Sequence, residues 1–186
     1  MGSTACRQAI LLGLGLVLFA PRLAVSAPAE GMTLVGAARR DITPELPIRL
    51  HGYAARQTEA TEVAMPIWAR ALAIGGGEAD PSPPAVLIAV ELLGVPIELT
   101  NEVRKRLQDE AGIPADRVAI AATHTHNGPL VRGVADAIFG APIPEDQQAR
   151  IDRYSDRLAD SITEAALEAL ANRRPAQLSW QRGQVG

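Results

Sequence analysis

Residues 118–129 read VAIAATHTHNGP, an apolar segment that is followed at once by a polar turn. The first five residues have the length and composition of a buried strand. Residues two apart in extended backbone point the same way, so His124 and His126 are expected to face one pocket. The triplet NGP at 127–129 predicts a sharp turn that holds both imidazole rings at the end of the strand.

The segments before this strand complete a β-α-β unit. Residues 85–90 (AVLIAV) form an uninterrupted apolar run, which is typical of a strand covered on both faces. Leu99, Val103 and Leu107 recur at a spacing of four, which predicts a helix that Gly112 brings to an end. A strand, a crossover helix and a strand in this order predict two parallel neighbours joined by a right-handed crossover.

Further strands and a long helix are predicted on either side of this unit. The helix is indicated by an apolar stripe with helical spacing, and the strands by short apolar runs between turn signals. The fold class that follows is α/β, with a mixed sheet, a β-α-β unit and flanking helices. The predicted strands cover 32–37, 48–53, 69–74 and 177–181, and the predicted helix covers 145–172.

Two of the three histidines in the chain lie in the turn that follows residue 122. A neutral imidazole binds zinc at about 2.0–2.1 Å, and catalytic zinc normally takes three protein ligands and a water molecule. Ligands in open α/β sheets bind beyond the carboxyl ends of the strands, which is where His124 and His126 are expected. The pair therefore predicts a metal or catalytic site.

Two other interpretations of the histidine pair stay open. Amidohydrolases also place His-x-His at the end of a strand, within a (β/α)₈ barrel, but they have it at the first barrel strand, whereas several predicted strands precede it here. The second alternative is a non-enzymatic exported binding or scaffold domain in which the pair is structural. Zinc titration separates either enzyme class from such a scaffold.

Other polar residues near predicted strand ends are weaker candidates. Glu91 ends the 85–90 strand, so its carboxylate is expected at the same sheet edge as His124. There it would be a metal ligand, a partner that orients a histidine, or a general base, and a solvated glutamate is an equal alternative. His51 is expected to be a surface or loop histidine rather than a ligand. Asp41 is expected to accept a turn hydrogen bond from the backbone that follows it.

The N-terminal stretch has the pattern of a signal peptide. Residues 9–20 (AILLGLGLVLFA) contain no polar residue. This run is too short to cross a bilayer, which takes about 20 residues, but it suits the apolar region of a signal peptide. We expect cleavage after Ala29, with Ala27 as the second choice and an uncleaved anchor as the alternative. Residues 1–29 are therefore predicted to be a signal peptide, and the protein to be exported to the periplasm or secreted.

The composition of the chain after residue 29 excludes some partners. Cleavage would remove two of the 18 basic residues, none of the 21 acidic residues and the single cysteine. The remaining chain would carry 16 basic residues against 21 acidic ones, a net charge of −5. A nucleic-acid partner, which requires a basic face, is not expected. Without a cysteine, this part of the chain has no disulfide.

The order of these segments resembles the neutral/alkaline non-lysosomal ceramidase family. The resemblance extends over nearly all of the chain after residue 29, and the Thr-His-Thr-His block followed by Gly-Pro is its most specific part. The matching segments are VGAARRDITP (35–44), GY (52–53), ARAL (69–72), AVELLG (89–94) and ATHTHNGP (122–129).

The resemblance implies a zinc-dependent amidase that hydrolyses an N-acyl sphingoid base to a fatty acid and a free amine. In the family the first histidine of the block is a zinc ligand, which is His124 here. The second lies at the substrate, and His126 would there hydrogen-bond the oxyanion or the leaving amine. Zinc would activate water near neutral pH. The expected partners are a small lipid or amide substrate and, transiently, a membrane surface.

The chain departs from the family pattern in two ways. Glu91 stands where the family usually carries Asp, and Asn127 stands where Ser is common. The other zinc ligands of the family, a His, a Glu and a Tyr, come later than any residue of this chain. We therefore expect residues 30–186 to be the N-terminal part of a larger ceramidase-like α/β domain, and to be inactive alone.

Overall fold

The computed structural model describes residues 31–77 and 80–184, so the predicted signal peptide at 1–29 lies outside the described residues. Regular structure begins two residues into the described part. In chain order the elements are β1 (Thr33–Asp41), β2 (Ile48–Arg49), β3 (Glu59–Ala60), β4 (Trp68–Ile74), β5 (Ala85–Val90), α1 (Ile97–Ala111), β6 (Val118–Ala122), α2 (Glu145–Ala171) and β7 (Arg174–Ala176).

Five of the strands form one mixed sheet in the order β6-β5-β4-β1-β7. β5 and β6 are parallel, with Ala89 opposite Ala121 and Val90 opposite Ala122, and α1 is the crossover between them. The other pairs in this sheet are antiparallel. The predicted α/β fold with a mixed sheet and a β-α-β unit is confirmed. A sheet with antiparallel neighbours on one side of this unit is not the start of a (β/α)₈ barrel, which disfavours the amidohydrolase alternative.

The crossover helix α1 has the predicted boundaries and core face. Leu99, Val103 and Leu107 are its buried residues. Pro96 is the N-cap, one residue before the first helical position, where its missing N–H costs nothing. Gly112 ends the helix in left-handed conformation at φ 67°, and its N–H donates to the Gln108 carbonyl at 3.0 Å. This is the usual role of glycine just beyond a helix.

The long helix α2 covers the sheet with the predicted apolar stripe. α2 and α1 share one core with the inward side chains of β4 and β5. Neither helix, nor any other in the described residues, is long and apolar enough to cross a membrane. The stripe residues, all buried, are Ile151, Tyr154, Leu158, Ile162, Ala165 and Ala169.

Only one face of β5 is covered by the described residues, so the prediction of a strand buried on both faces is wrong for this part of the molecule. Val86, Ile88 and Val90 are buried under the helices, whereas Leu87 is 47% exposed and Ala89 is also exposed. The prediction failed because a continuous apolar run indicates a buried strand but does not show whether one face of the strand or both are covered.

Two predicted strands differ from the observed ones. The predicted strand at 48–53 is limited to β2, which pairs with β3 in a separate two-stranded sheet. It stops at Arg49 because the residues that follow pair instead with 128–130, where the His51 N–H donates to the Gly128 carbonyl. The predicted strand at 177–181 is absent from the described structure. Its place is taken by β7, in which Pro175 is tolerated because β7 is an edge strand.

Close contact between β1 and the end of α2 should make Gly36 intolerant of a side chain. A Cβ at this position would lie 2.0 Å from the Ala169 carbonyl oxygen and 2.7 Å from the Arg173 nitrogen, both backbone atoms. We expect Gly36→Ala to lower the free energy of unfolding of the full-length protein by about 1–3 kcal/mol, measured by denaturant titration. The control is Gly183→Ala, which meets no atom within 4 Å. Equal stabilities of the two variants would contradict this packing.

Candidate functional site

The chain reverses direction immediately after β6. The Thr123 N–H still donates to the Val90 carbonyl at 2.9 Å, which extends the pairing with β5 by one residue. The next residue, His124, has φ +62°. A residue with a Cβ in this left-handed conformation costs about 1–2 kcal/mol, and such strain concentrates at functional sites. The sequence prediction assumed extended backbone from His124 to His126, with alternate side chains on one face. The left-handed conformation of His124 interrupts that extended backbone, so simple alternation does not explain why the two rings lie together.

The ring of His124 is oriented by one backbone carbonyl. Its Nδ1 lies 2.8 Å from the Leu93 carbonyl oxygen. Because a carbonyl oxygen can only accept, Nδ1 carries the proton and Nε2 of the neutral ring carries the lone pair. His124 is exposed, so Nε2 is accessible. Metal-binding histidines typically donate their other N–H to a carbonyl or carboxylate in this way.

The ring of His126 lies against that of His124. The two ring centroids are 5.1 Å apart, at an interplanar angle of 73°. On its other side His126 meets the ring of Tyr53 edge to face, at 5.1 Å between centroids. Within the described part of the chain, no protein group hydrogen-bonds either ring nitrogen of His126. The structure thus brings the two predicted site residues together with three ring nitrogens available.

A glycine makes room for His126. Gly52 has φ +105°, and a Cβ built on it would lie 2.6 Å from the Cβ of His126. A contact under 3.0 Å is one that real Cβ atoms essentially never make. Glycine is therefore required here both by the backbone conformation and by the closeness of the imidazole.

The loop after Gly52 is fastened to the histidine turn by an arginine. Nη1 of Arg56 donates to the carbonyls of His51, at 2.8 Å, and of His126, at 2.6 Å. Nη2 donates to the side-chain oxygen of Asn127 at 3.3 Å. The guanidinium also lies over the Tyr53 ring, 4.9 Å from its centroid. The site is therefore built from two segments about 70 residues apart.

The family of the chain follows from its sequence match. Residues 33–186 match the sequence model of the family "Neutral/alkaline non-lysosomal ceramidase, N-terminal". The chain belongs to this family. The match begins at the first residue of β1 and includes the whole five-stranded sheet and both histidines.

Solved ceramidase structures share the fold. The neutral ceramidase from Pseudomonas aeruginosa is 23% identical, with a TM-score of 0.64 over 79% of this chain. A structure described as ceramidase complexed with C2 is 24% identical, with a TM-score of 0.62 over 78% of this chain. The chain spans only 23% and 22% of the lengths of those two proteins. Among curated protein sequences, none matches the chain.

Glu91 does not face the histidines of this ceramidase-family site. Its carboxylate accepts a hydrogen bond from the Trp68 N–H at 3.0 Å and forms an ion pair with Arg70. Both partners are on β4, whereas His124 follows β6 on the other side of β5. These contacts hold the Glu91 carboxylate against β4. Its role as a metal ligand, a partner that orients a histidine or a general base stays a prediction, as does the alternative of a solvated glutamate.

His51 lies outside the helices and strands, as expected of a loop histidine, but it is buried rather than at the surface. Only 1% of the residue is exposed, and its Nε2 lies 2.6 Å from the Val134 carbonyl oxygen. Its ring also packs against Phe139, with 5.6 Å between centroids. The prediction for Asp41 is confirmed, since its carboxylate accepts from the Thr43 N–H at 2.8 Å.

The described residues do not complete a metal site. Nowhere in residues 31–77 and 80–184 do three or more His, Cys, Asp or Glu side chains come together with metal-binding geometry. A zinc site that included His124 would therefore need ligands outside these residues, because catalytic zinc normally takes three protein ligands.

An apolar groove of about 370 Å³ begins beside the histidine turn. Thr125 and Asn127, the neighbours of His126 in sequence, line it at one side. Its rim carries two exposed apolar side chains, Met65 at 72% and Val63 at 48% exposure. Most of the remaining lining is also apolar, and it includes Pro44, Leu46, Ile48, Leu50, Ala60, Ala64, Ile67 and Pro129.

Replacing Gly52 should displace His126. In Gly52→Ala the imidazole must retreat until the 2.6 Å contact reaches an ordinary 3.4 Å or more, or the loop must move. We expect a crystal structure of the full-length variant to show this shift. The control is Gly112→Ala, which has a similar left-handed φ but open space around it. It should cost about 1–2 kcal/mol of stability and leave His126 in place. An unmoved His126 in Gly52→Ala would refute the contact.

Proposed function

We propose that this chain forms part of a zinc-dependent amidase that hydrolyses ceramide-like N-acyl sphingoid bases to a fatty acid and a free amine. The observation that carries the proposal is the hydrogen bond from His124 Nδ1–H to the Leu93 carbonyl, beside a second imidazole at 5.1 Å. Membership of the ceramidase family supplies the reaction class. The whole protein, including ligands outside the described residues, would be required for turnover.

The donor set of the turn fits zinc. His124 presents Nε2 with its lone pair, and zinc accepts a neutral imidazole nitrogen. We assign His124 as a zinc ligand. In this proposal, the left-handed backbone at His124 is the feature that directs Nε2 away from the sheet and toward the metal. When bound, zinc supplies Lewis acidity that makes water a nucleophile near neutral pH.

We infer that His126 acts on the substrate. The negative charge of amide hydrolysis develops on the carbonyl oxygen, and an N–H of His126 would donate a hydrogen bond to that oxygen. The same side chain is also suited to give a proton to the leaving nitrogen. Tyr53 and Gly52 hold the ring by packing alone, which leaves both ring nitrogens for this chemistry.

The groove beside the turn supports a lipid substrate. Its lining is apolar apart from Glu62, Thr43 and the two turn residues, so it suits an alkyl chain better than a peptide or a sugar. The exposed rim residues Met65 and Val63 would also contact a membrane surface transiently, at the place where a lipid enters.

The non-enzymatic alternative makes a different prediction for the same residues. In a scaffold domain His124 and His126 would only stabilise the turn, so replacement of either would change stability and not metal content. The left-handed backbone of His124 beside a second imidazole favours the enzyme, because backbone strain of this kind concentrates at functional sites.

Zinc content separates the two histidines. In the full-length protein, His124→Ala should lose bound zinc and amidase turnover together, because a ligand nitrogen is removed. His126→Ala should keep its zinc and lose about 10²–10³-fold in kcat, the usual effect of removing a group that stabilises developing charge. Zinc is measured by elemental analysis of the purified variants, and turnover with a long-chain ceramide. Unchanged zinc in His124→Ala would contradict the assignment.

The groove is tested with a pair of substitutions at its rim. Met65→Ser should raise KM about 10-fold for amides with long alkyl chains, because apolar contact is lost. A water-soluble short-chain amide should be unaffected, since it does not reach the groove. Met65→Leu keeps the apolar surface and is the control. Equal effects of Met65→Ser on both substrates would argue against the groove as the alkyl site.

A further inference from the structure

Arg56 is the side chain that connects the two halves of the candidate site. It lies at the end of a tight turn in which its own N–H donates to the Tyr53 carbonyl at 3.0 Å. From there the guanidinium reaches back to the His51 carbonyl and across to the His126 carbonyl. The guanidinium of Arg56 therefore bonds both the segment that carries Gly52 and the turn that carries His126, close to the contact between these two residues.

The acceptors of Arg56 are all neutral. Among the described residues no carboxylate lies within ion-pair distance of it, whereas six other described arginines pair with Asp or Glu. Its partners are two backbone carbonyls, the side-chain amide of Asn127 and the face of the Tyr53 ring. An arginine used in this way joins backbone segments, for which its planar, forked set of donors is well suited.

The Arg56 contacts converge on the backbone of His126 and not on that of His124. His124 is oriented separately, by Leu93 in the segment after β5. His126 has no hydrogen bond to its ring within the described residues, so its position depends on its backbone and on the packing of Gly52 and Tyr53. Arg56 holds both: its guanidinium bonds the His126 carbonyl and stacks on Tyr53.

We propose that Arg56 is a positioning residue that holds His126 against Gly52 and Tyr53, without itself touching the substrate or the metal. This inference rests on the proposed function for its catalytic consequence, because His126 is taken to act on the amide. The inference also has a structural part, namely that Arg56 couples residues 51–56 to residues 124–128. This part depends only on the contacts of Arg56.

The test compares Arg56→Ala, Arg56→Lys and Arg157→Ala in the full-length protein. Arg157 is a matched control because its side chain is exposed and forms a surface ion pair with Glu45, away from the histidines. Hydrogen–deuterium exchange reports the backbone of both segments and does not require activity. Zinc content, kcat and KM are measured on the same samples with a long-chain ceramide.

For Arg56→Ala we expect faster exchange in 51–57 and 124–130 together, with α2 unchanged. Zinc content should stay at the wild-type level, because His124 keeps its carbonyl partner. The kcat should fall about 10²-fold with little change in KM, as expected for a displaced catalytic group. Arg56→Lys should recover part of both losses, since an ammonium can still donate to the carbonyls. Arg157→Ala should match the wild type.

Several results would overturn the inference. They are wild-type exchange at 124–130 in Arg56→Ala, a uniform rise in exchange that includes α2, or an Arg56→Lys variant no better than Arg56→Ala. If Arg56→Ala does not fold, exchange and kcat of Arg56→Lys decide, and wild-type values for both would refute it. If the wild-type protein binds no zinc and cleaves no amide, the proposed function fails, while the exchange data still decide the coupling.

Discussion

The left-handed backbone of His124 is the constraint around which the rest of the site is arranged. A Cβ in this conformation is unfavourable, so the turn persists only if the surrounding contacts over-determine it. They do so from three sides: Thr123 remains paired with Val90, the His124 ring is bonded to Leu93, and the residues that follow are tied to the 49–56 segment. These contacts come from two distant parts of the chain, the end of β5 (90–93) and the 49–56 segment, so the reversal depends on the completed fold.

The second half of the site has the same dependence on distant segments. Residues 49–51 run beside 128–130, with backbone hydrogen bonds from His51 to Gly128 and from Leu130 to Arg49. Burial of His51 against Phe139 anchors this pairing in a small apolar cluster separate from the main core. The loop that carries Tyr53 and Arg56 then projects from a fixed base, which is how a short irregular segment holds a precise position beside the histidines.

Elements with a strong local sequence pattern could be predicted from the sequence. Features that arise from contacts with residues far along the chain could not. β5, β6 and α1 have strong local patterns, and the histidine pair was found because two imidazoles close together in a histidine-poor chain are unusual. The burial of His51 and the role of Arg56 left no local signal, because both arise from contacts with residues about 70 or more positions away. The short β2 has the same cause, because residues 49–51 pair with the distant residues 128–130.

Glu91 shows why a correct placement at a sheet edge does not determine a role. It lies at the end of β5 as predicted, but its side chain is long enough to reach β4, where it accepts from the Trp68 N–H while its own N–H donates to the Trp68 carbonyl. This reciprocal pair fixes the start of the loop in which Leu93 follows two residues later. The Leu93 carbonyl, and not the Glu91 carboxylate, makes the described contact with the His124 ring. A shorter carboxylate at this position would have less reach toward Trp68 and more freedom to face the neighbouring strand end.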